Sequence, residues 1–220
     1  MRKKIFAIIP AYNEDKYIGN IIKETKKYVD KVIVVDDGSK DQTKQIAEKN
    51  RAIVLEHWVN LGKGAALKTG CDYAVRSKAD ILITIDADMQ HKPAEIPKFL
   101  KNIKNYDVVL AYRKLNKNMP LVFKFGNWFI NKTISFLYGI KIKDSQCGYR
   151  VFTSKAYKKL RWESSDYSME SEMIAKIGKF RVLYKEIPIE TIYSDKYKGT
   201  TIIDGIKIVF KLLFWRLNDI

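Results

Sequence analysis

The chain has 220 residues, 46% of them hydrophobic, and a formal net charge of +16. That length and apolar content suit one globular domain, or one domain with a small appendage, and exclude a disordered chain. Cys71 and Cys147 are too few and too far apart for a disulfide framework or a zinc site, so a reducing cytoplasmic compartment is expected.

The opening stretch MRKKIFAIIPAYNE is basic, but its apolar run is short and ends in proline. It reads as a first strand, not as a secretory signal. Lysine and arginine are spread along the chain without a compact basic block, the pattern of a solvated surface and not of a nucleic-acid footprint. Phosphate-bearing substrates or an anionic membrane surface are the alternative readings of the charge.

In chain order, KIFAIIP (4–10) predicts a strand, followed by a helix from Glu14 to about Tyr28. KVIVVDD (31–37) predicts a second strand and a helix from about Asp41 to Asn50. AIVLEH (52–57) leads into a helix near Gly62, and ADILITID (79–86) into a helix opening at Pro93. Alternating helices and near-continuous apolar strands indicate an α/β fold: a mostly parallel central sheet with helices on both faces. Ligands of such sheets bind outside the carboxyl ends of the strands.

Three of these strands end in polar motifs: PAYNE (10–14), DDGS (36–39) and DAD (86–88). Taken singly, Asn13 could cap a helix, Asp37-Gly38-Ser39 could be an ordinary turn and Asp88 a surface acid. At successive strand ends they should converge on one crevice. The D-x-D pair Asp86 and Asp88 suits Mg²⁺ or Mn²⁺, which take oxygen ligands, keep several waters and share few protein carboxylates with substrate phosphates. Gln90 would add an amide oxygen or bind a metal-bound water, and His91 would lie behind the ligands or face solvent. In NLGKGAALKTG (60–70), glycines and Lys63 open a helix where amides and an ammonium could face a phosphate or a carboxylate. The P-loop spacing is missing, which argues against a kinase or ATPase.

IPAYNE (9–14), VVDDGSKDQT (34–43), NLGKGAALKTG, DADMQH (86–91), DSQCGYR (144–150) and SMESEMI (168–174) occur in this order over nearly the whole chain. Together they resemble GT-A-fold inverting glycosyltransferases of the large family that includes dolichol-phosphate mannose synthases and bacterial polyprenyl-phosphate glycosyltransferases. The resemblance implies a Rossmann-like GT-A catalytic domain over residues 1–200 and a C-terminal amphipathic helix over 201–220, packing on the domain or on a membrane. It also implies that Pro10, Ala11, Tyr12 and Glu14 line a nucleoside pocket, with Asp36 or Asp37 on the base or ribose. Asp86, Ala87 and Asp88 would meet the diphosphate and its Mg²⁺ or Mn²⁺, with Gln90 completing the metal site. Arg113, ending the strand DVVLAYR (107–113), would face phosphate. Asp144 and Arg150 would line the acceptor side. Of Glu170 and Glu172, two residues apart on one helix, one would point into the site and the other would be a solvated acid.

Two departures stand out. Lys124 replaces the arginine that many relatives carry before the Gly-Asn of FGNWFIN (125–131), keeping the charge without bidentate phosphate geometry. The basic loop YSDKYKGTT (193–201) resembles the family's mobile loop without its arginine, which leaves Lys196 or Lys198 for the diphosphate.

The reaction implied is a single inline displacement of the nucleoside diphosphate from a nucleotide sugar (GDP-mannose or a UDP-sugar). Metal and nearby cations stabilise the charge growing on the leaving group. A polyprenyl or dolichyl phosphate acceptor is already ionised and needs no base. A saccharide hydroxyl, the alternative acceptor, would need Asp144 or Glu170 to take its proton.

Stretches 120–140 and 201–217 mix aromatic and aliphatic residues with lysines, and neither has the roughly 20 uncharged residues of a spanning helix. They would lie in a membrane interface or pack as core or dimer-contact helices. Many relatives carry C-terminal transmembrane helices, and none is read in this chain. A peripheral enzyme on the cytoplasmic face is therefore expected, or one anchored by a membrane partner, with a homo-oligomer as a further option. A nucleotidyltransferase would open with a glycine-rich loop where this chain has PAYNE, and a basic RNA- or lipid-binding module would leave the acidic strand ends unexplained.

Overall fold

The computed structural model describes residues 2–113, 121–190 and 202–218, without the side chains of 121–125, 202 and 203. The elements predicted in the first half are present: β1 (Ile5–Ala11), α1 (Asp15–Thr25), β2 (Lys31–Asp36), α2 (Thr43–Lys49), β3 (Ile53–Glu56), α3 (Lys63–Arg76) and β4 (Ile81–Thr84). A 3-10 turn at Pro93–Glu95 leads into α4 (Ile96–Asn102). The second half holds β5 (Val108–Arg113), α5 (Leu121–Tyr138), β6 (Arg150–Thr153), α6 (Ser154–Leu160), α7 (Met169–Lys179), β7 (Tyr184–Ile189) and α8 (Ile202–Leu217).

The described strands form one seven-stranded sheet in the order β3-β2-β1-β4-β6-β5-β7. Only β6 among them runs antiparallel, between β4 and β5. The carboxyl ends of β1, β2, β4 and β5 therefore share one edge with the segment that leads into β6. β1 pairs with β2 on one side and β4 on the other, so the chain reverses its winding direction there, as at the ligand crevice of open α/β sheets.

Strand residues alternate between two cores, as the period of two requires. Phe6, Ile8, Ile33, Val35 and Leu82 pack toward α3, α5, α6, α7 and α8. Ala7, Ile9, Val32, Val34 and Ile83 pack toward α1, α2 and α4.

The two amphipathic stretches became α5 and α8, which lie together, with Tyr138 Oη donating to Leu212 O at 2.7 Å. Ile130 and Ile134 on α5, and Ile208, Leu212 and Trp215 on α8, join the core. Their outer faces leave Phe136 88%, Phe210 69% and Leu217 85% exposed. No helix of the described residues is long and apolar enough to cross a membrane.

Candidate active site

The crevice is built around the start of α3. Gly62 has φ +97°, a left-handed conformation that glycine adopts without steric cost. The buried Asp37 holds this turn: Leu61 N donates to Oδ1 at 2.9 Å, Gly62 N to Oδ2 at 2.8 Å, and His57 Nδ1 lies 2.7 Å from Oδ1. The sequence leaves a phosphate or a carboxylate open as partner for these amides, and the chain supplies its own carboxylate. Asp37 is thus committed to the loop. Asp36, also buried, accepts from Ser39 N at 3.1 Å. Asn13 does not cap α1 with its side chain; at φ +54° it accepts from Lys40 N through Oδ1 at 2.9 Å, tying PAYNE to the DDGS loop.

Lys63, the first residue of α3, reaches two acids, one just beyond β4 and one on α7. Its Nζ lies 2.7 Å from Asp86 Oδ1 and 3.1 Å from Glu170 Oε1. Burial opposes its charge, but Asp86 and Glu170 more than restore it, so Lys63 keeps its proton beyond the usual lysine range. Burial likewise works against the Asp86 carboxylate, and Lys63 holds it below the usual range. Gly148 makes room for the pair: a Cβ there would stand 2.8 Å from Lys63 Nζ and 3.0 Å from Asp86 Oδ2. Glu170 Oε2 is buried without a hydrogen-bond partner.

Asp88 sits beyond Asp86, in a turn where Met89 adopts φ +60°, a conformation costing on the order of 1 kcal/mol for a side chain of this kind. Gln90 donates its backbone N–H to Asp88 Oδ1 at 3.0 Å. Burial, then the neighbouring Asp86, and to a lesser degree Glu14, push the Asp88 carboxyl up to about 6. PAYNE and DAD leave the ends of the paired strands β1 and β4. His91 does not face solvent. It is buried, its ring centroid is 5.7 Å from that of Tyr149, its Nδ1 lacks a partner, and burial drives it down to about 4.

On the other flank Arg113 grips Asp144 at two points, Nε to Oδ2 at 2.7 Å and Nη2 to Oδ1 at 2.9 Å. Asn127 Nδ2 and Gln146 N also donate to Asp144 Oδ1. Burial is outweighed by this guanidinium, and Asp144 titrates below the usual carboxylate range.

Arg150, expected on the acceptor side, lies beneath the surface. It is 1% exposed, and its guanidinium donates to the carbonyls of Ser145, Cys147 and Glu170, bracing the DSQC loop against α7. Glu172 is not a solvated acid: it is 1% exposed and bound to Ser164 and Lys176, because α7 is enclosed on more than one side. Tyr12 is partly exposed at the rim, while Ala11 and Ala87 are buried beneath it and Pro10 is half-buried. Lys124 lies in the first turns of α5, and its side chain is outside the described residues, as are Lys196 and Lys198. Gly148, Asn127 and Tyr167, whose ring lies 5.8 Å from Lys63 Nζ, were not singled out by the sequence. For the first two the signal lay in DSQCGYR and FGNWFIN.

Among the described residues no group of three or more His, Cys, Asp or Glu side chains is placed to hold a metal ion. What is present is an open pair of hard oxygen donors. Among the described residues of the crevice, Glu14, Asp86, Asp88, Asp144 and Glu170 outnumber Lys63 and Arg113, in a chain of net charge +16. A carboxyl held at about 6 by its neighbours fits a divalent ion that shares its ligands with a diphosphate.

Residues 6–161 match glycosyl transferase family 2. The chain is 36% identical to the UDP-N-acetylglucosamine–dolichyl-phosphate N-acetylglucosaminyltransferase of Methanococcus voltae, over 99% of this chain and 98% of that one. It is 31% identical to a dolichyl-phosphate beta-glucosyltransferase of Trichomonas vaginalis, over 96% and 73% respectively. Among solved structures, glucosyl-3-phosphoglycerate synthase of Mycobacterium tuberculosis, with Mn²⁺, UDP-glucose and phosphoglyceric acid, aligns at TM-score 0.79 and 18% identity, over 97% of this chain and 80% of that one. The fold is GT-A, and the chain belongs to glycosyl transferase family 2, as a glycosyltransferase.

Proposed function

We propose that the protein transfers a sugar from a nucleoside diphosphate sugar to a polyprenyl or dolichyl phosphate at a membrane surface. The observation that carries the acceptor assignment is Asp144. Both its oxygens accept from Arg113, and Oδ1 also accepts from Asn127 and Gln146, so it is a poor proton acceptor. An ionised phosphate needs none. The two relatives described above are named for different sugars and the same acceptor, dolichyl phosphate, which supports the acceptor more than the donor. The name of the Methanococcus voltae relative puts UDP-sugars ahead of GDP-mannose.

In this reading Tyr12, Glu14 and Asp36 border the nucleoside, and Lys63 and Arg113 flank the diphosphate and stabilise the negative charge it gains on leaving. Asp86, Asp88 and Gln90 would hold Mg²⁺ or Mn²⁺, which would supply further neutralisation of the leaving diphosphate. The apolar outer faces of α5 and α8, with Lys132 and Lys207 on the same helices, would seat the enzyme in the headgroup region beside its lipid acceptor.

A second reading, transfer to a saccharide hydroxyl, is favoured by one observation: Glu170 Oε2 is buried and unpartnered and could take a proton. Incubation with labelled UDP- and GDP-sugars, Mn²⁺ or Mg²⁺ and a short polyprenyl phosphate tests the first reading. Label in the organic phase, dependent on metal, is the expected result; label only in water-soluble saccharide would replace it with the second.

A further inference from the structure

Lys63 is flanked by two glycines, and a strap of backbone lies against both. A Cβ on Gly62 would stand 2.5 Å from Ser165 O, and one on Gly64 would stand 2.3 Å from Ser164 O and 2.8 Å from Asp166 O. Ala65 N donates to Ser165 O at 3.1 Å, and Trp162 Nε1 donates to Gly64 O at 2.8 Å. The strap, residues 161–168, thus covers the start of α3 and brings Tyr167 to the Lys63 ammonium.

The strap is fixed by Glu172. This side chain accepts from Glu163 N and Ser164 N, each at 2.9 Å, and from Ser164 Oγ at 2.6 Å. Lys176, one turn along α7, completes the anchor: its Nζ is 2.8 Å from Glu172 Oε1 and also donates to Arg161 O. At the far end Lys211 of α8 bonds Asp166 and Ser168. Among the described residues Glu172 has no hydrogen bond or ion pair to Asp86 or Lys63; its side chain bonds the strap and Lys176.

We propose that Glu172 is a positioning residue: by anchoring the 161–168 strap over Gly62 and Gly64, it aims the Lys63 ammonium between Asp86 and Glu170. Its role in turnover rests on Lys63 serving the donor site, as read above. Its placement of Lys63 does not.

Two measurements separate these. Competitive acetylation of the folded enzyme with acetic anhydride, followed by mass spectrometry, reads Lys63 directly. Glu172→Gln should raise labelling of Lys63 several-fold while leaving Lys4 and Lys31 unchanged. Ser164→Ala, which removes one donor to Glu172, should do the same more weakly and serves if Glu172→Gln does not fold. Unchanged Lys63 labelling in a folded variant overturns the proposal.

In transfer assays with UDP-N-acetylglucosamine, UDP-glucose and GDP-mannose, Glu172→Gln should lower kcat/KM about tenfold and Lys63→Met about a hundredfold. The double variant should stay within about threefold of Lys63→Met alone, the non-additivity expected when one residue acts through another. Effects that multiply would mark Glu172 as a general stability residue and overturn the proposal. A wild type silent with all three donors, together with raised Lys63 labelling in Glu172→Gln, would leave the positioning inference standing and count against the functional reading.

Discussion

Arg113 and Asp144 form a two-point ion pair, 2.7 and 2.9 Å long, with Asp144 almost wholly buried at the mouth of the crevice. Removing the guanidinium leaves a buried carboxylate without its cation, a loss of about 3–5 kcal/mol. Arg113→Ala should therefore lower Tm by on the order of 10 °C at pH 7. Asp144 titrates below its ordinary value in the folded chain, so the pair's contribution is present above the unfolded carboxylate range and is lost as pH falls through the lower folded value. Calorimetry at pH 7, 5 and 3 should show a gap between wild type and variant that closes only at the most acidic point. A gap already closed at pH 5 would refute this.

Gly148→Ala places a methyl group 2.8 Å from Lys63 Nζ, and the flexible end of the lysine is what can move. Transfer should fall by about 10- to 100-fold while Tm changes by only a few degrees, since no backbone atom obstructs the new Cβ. Unaltered kinetics would mean that the Lys63 and Asp86 pair does not matter for turnover.

Asp88 is held at about 6 by burial and by Asp86, so ionising it costs the fold free energy. The sign follows: the penalty is absent below the unfolded carboxylate value, grows as pH rises from about 4 to 6, and is complete above 6. Asp88→Asn should raise Tm by about 5 °C at pH 8 in metal-free buffer, corresponding to on the order of 2 kcal/mol. The gain should shrink toward pH 4.5. The same substitution should abolish metal-dependent transfer. A destabilised variant at pH 8 would contradict the electrostatic account.

Phe136, Phe210 and Leu217 are exposed on α5 and α8, so exchanging them for serine removes no core packing. Flotation with anionic vesicles should show binding reduced several-fold in the triple variant at unchanged Tm. Vesicle binding equal to wild type would place the membrane contact elsewhere.

The first half of the sheet was legible because parallel strands buried on both faces are continuous apolar runs, and KIFAIIP, KVIVVDD and ADILITID each end in a polar motif. β6, only Arg150–Thr153, carried no such signal; its antiparallel place between β4 and β5 is set by tertiary pairing. The separation of Glu170 from Glu172 onto different helix faces follows from the helical period. Which of those faces met solvent did not, because α7 is covered by α5, α6 and α8, and only the fold reveals that enclosure. For the same reason Asp37 and Asp36, adjacent and equivalent in sequence, separate only in three dimensions: one is consumed by the 57–62 loop.

The measurement closest to the central claim offers the enzyme two acceptors of equal chain length, a polyprenyl phosphate and the corresponding polyprenol, with labelled donor and Mn²⁺, for wild type and Glu170→Gln. Sugar on the phosphate alone, formed by Glu170→Gln within about tenfold of the wild-type rate, is the predicted result, since an ionised acceptor needs no base. Transfer to the hydroxyl, lost by several orders of magnitude in Glu170→Gln, would contradict it and make Glu170 the base of a hydroxyl-directed glycosyltransferase.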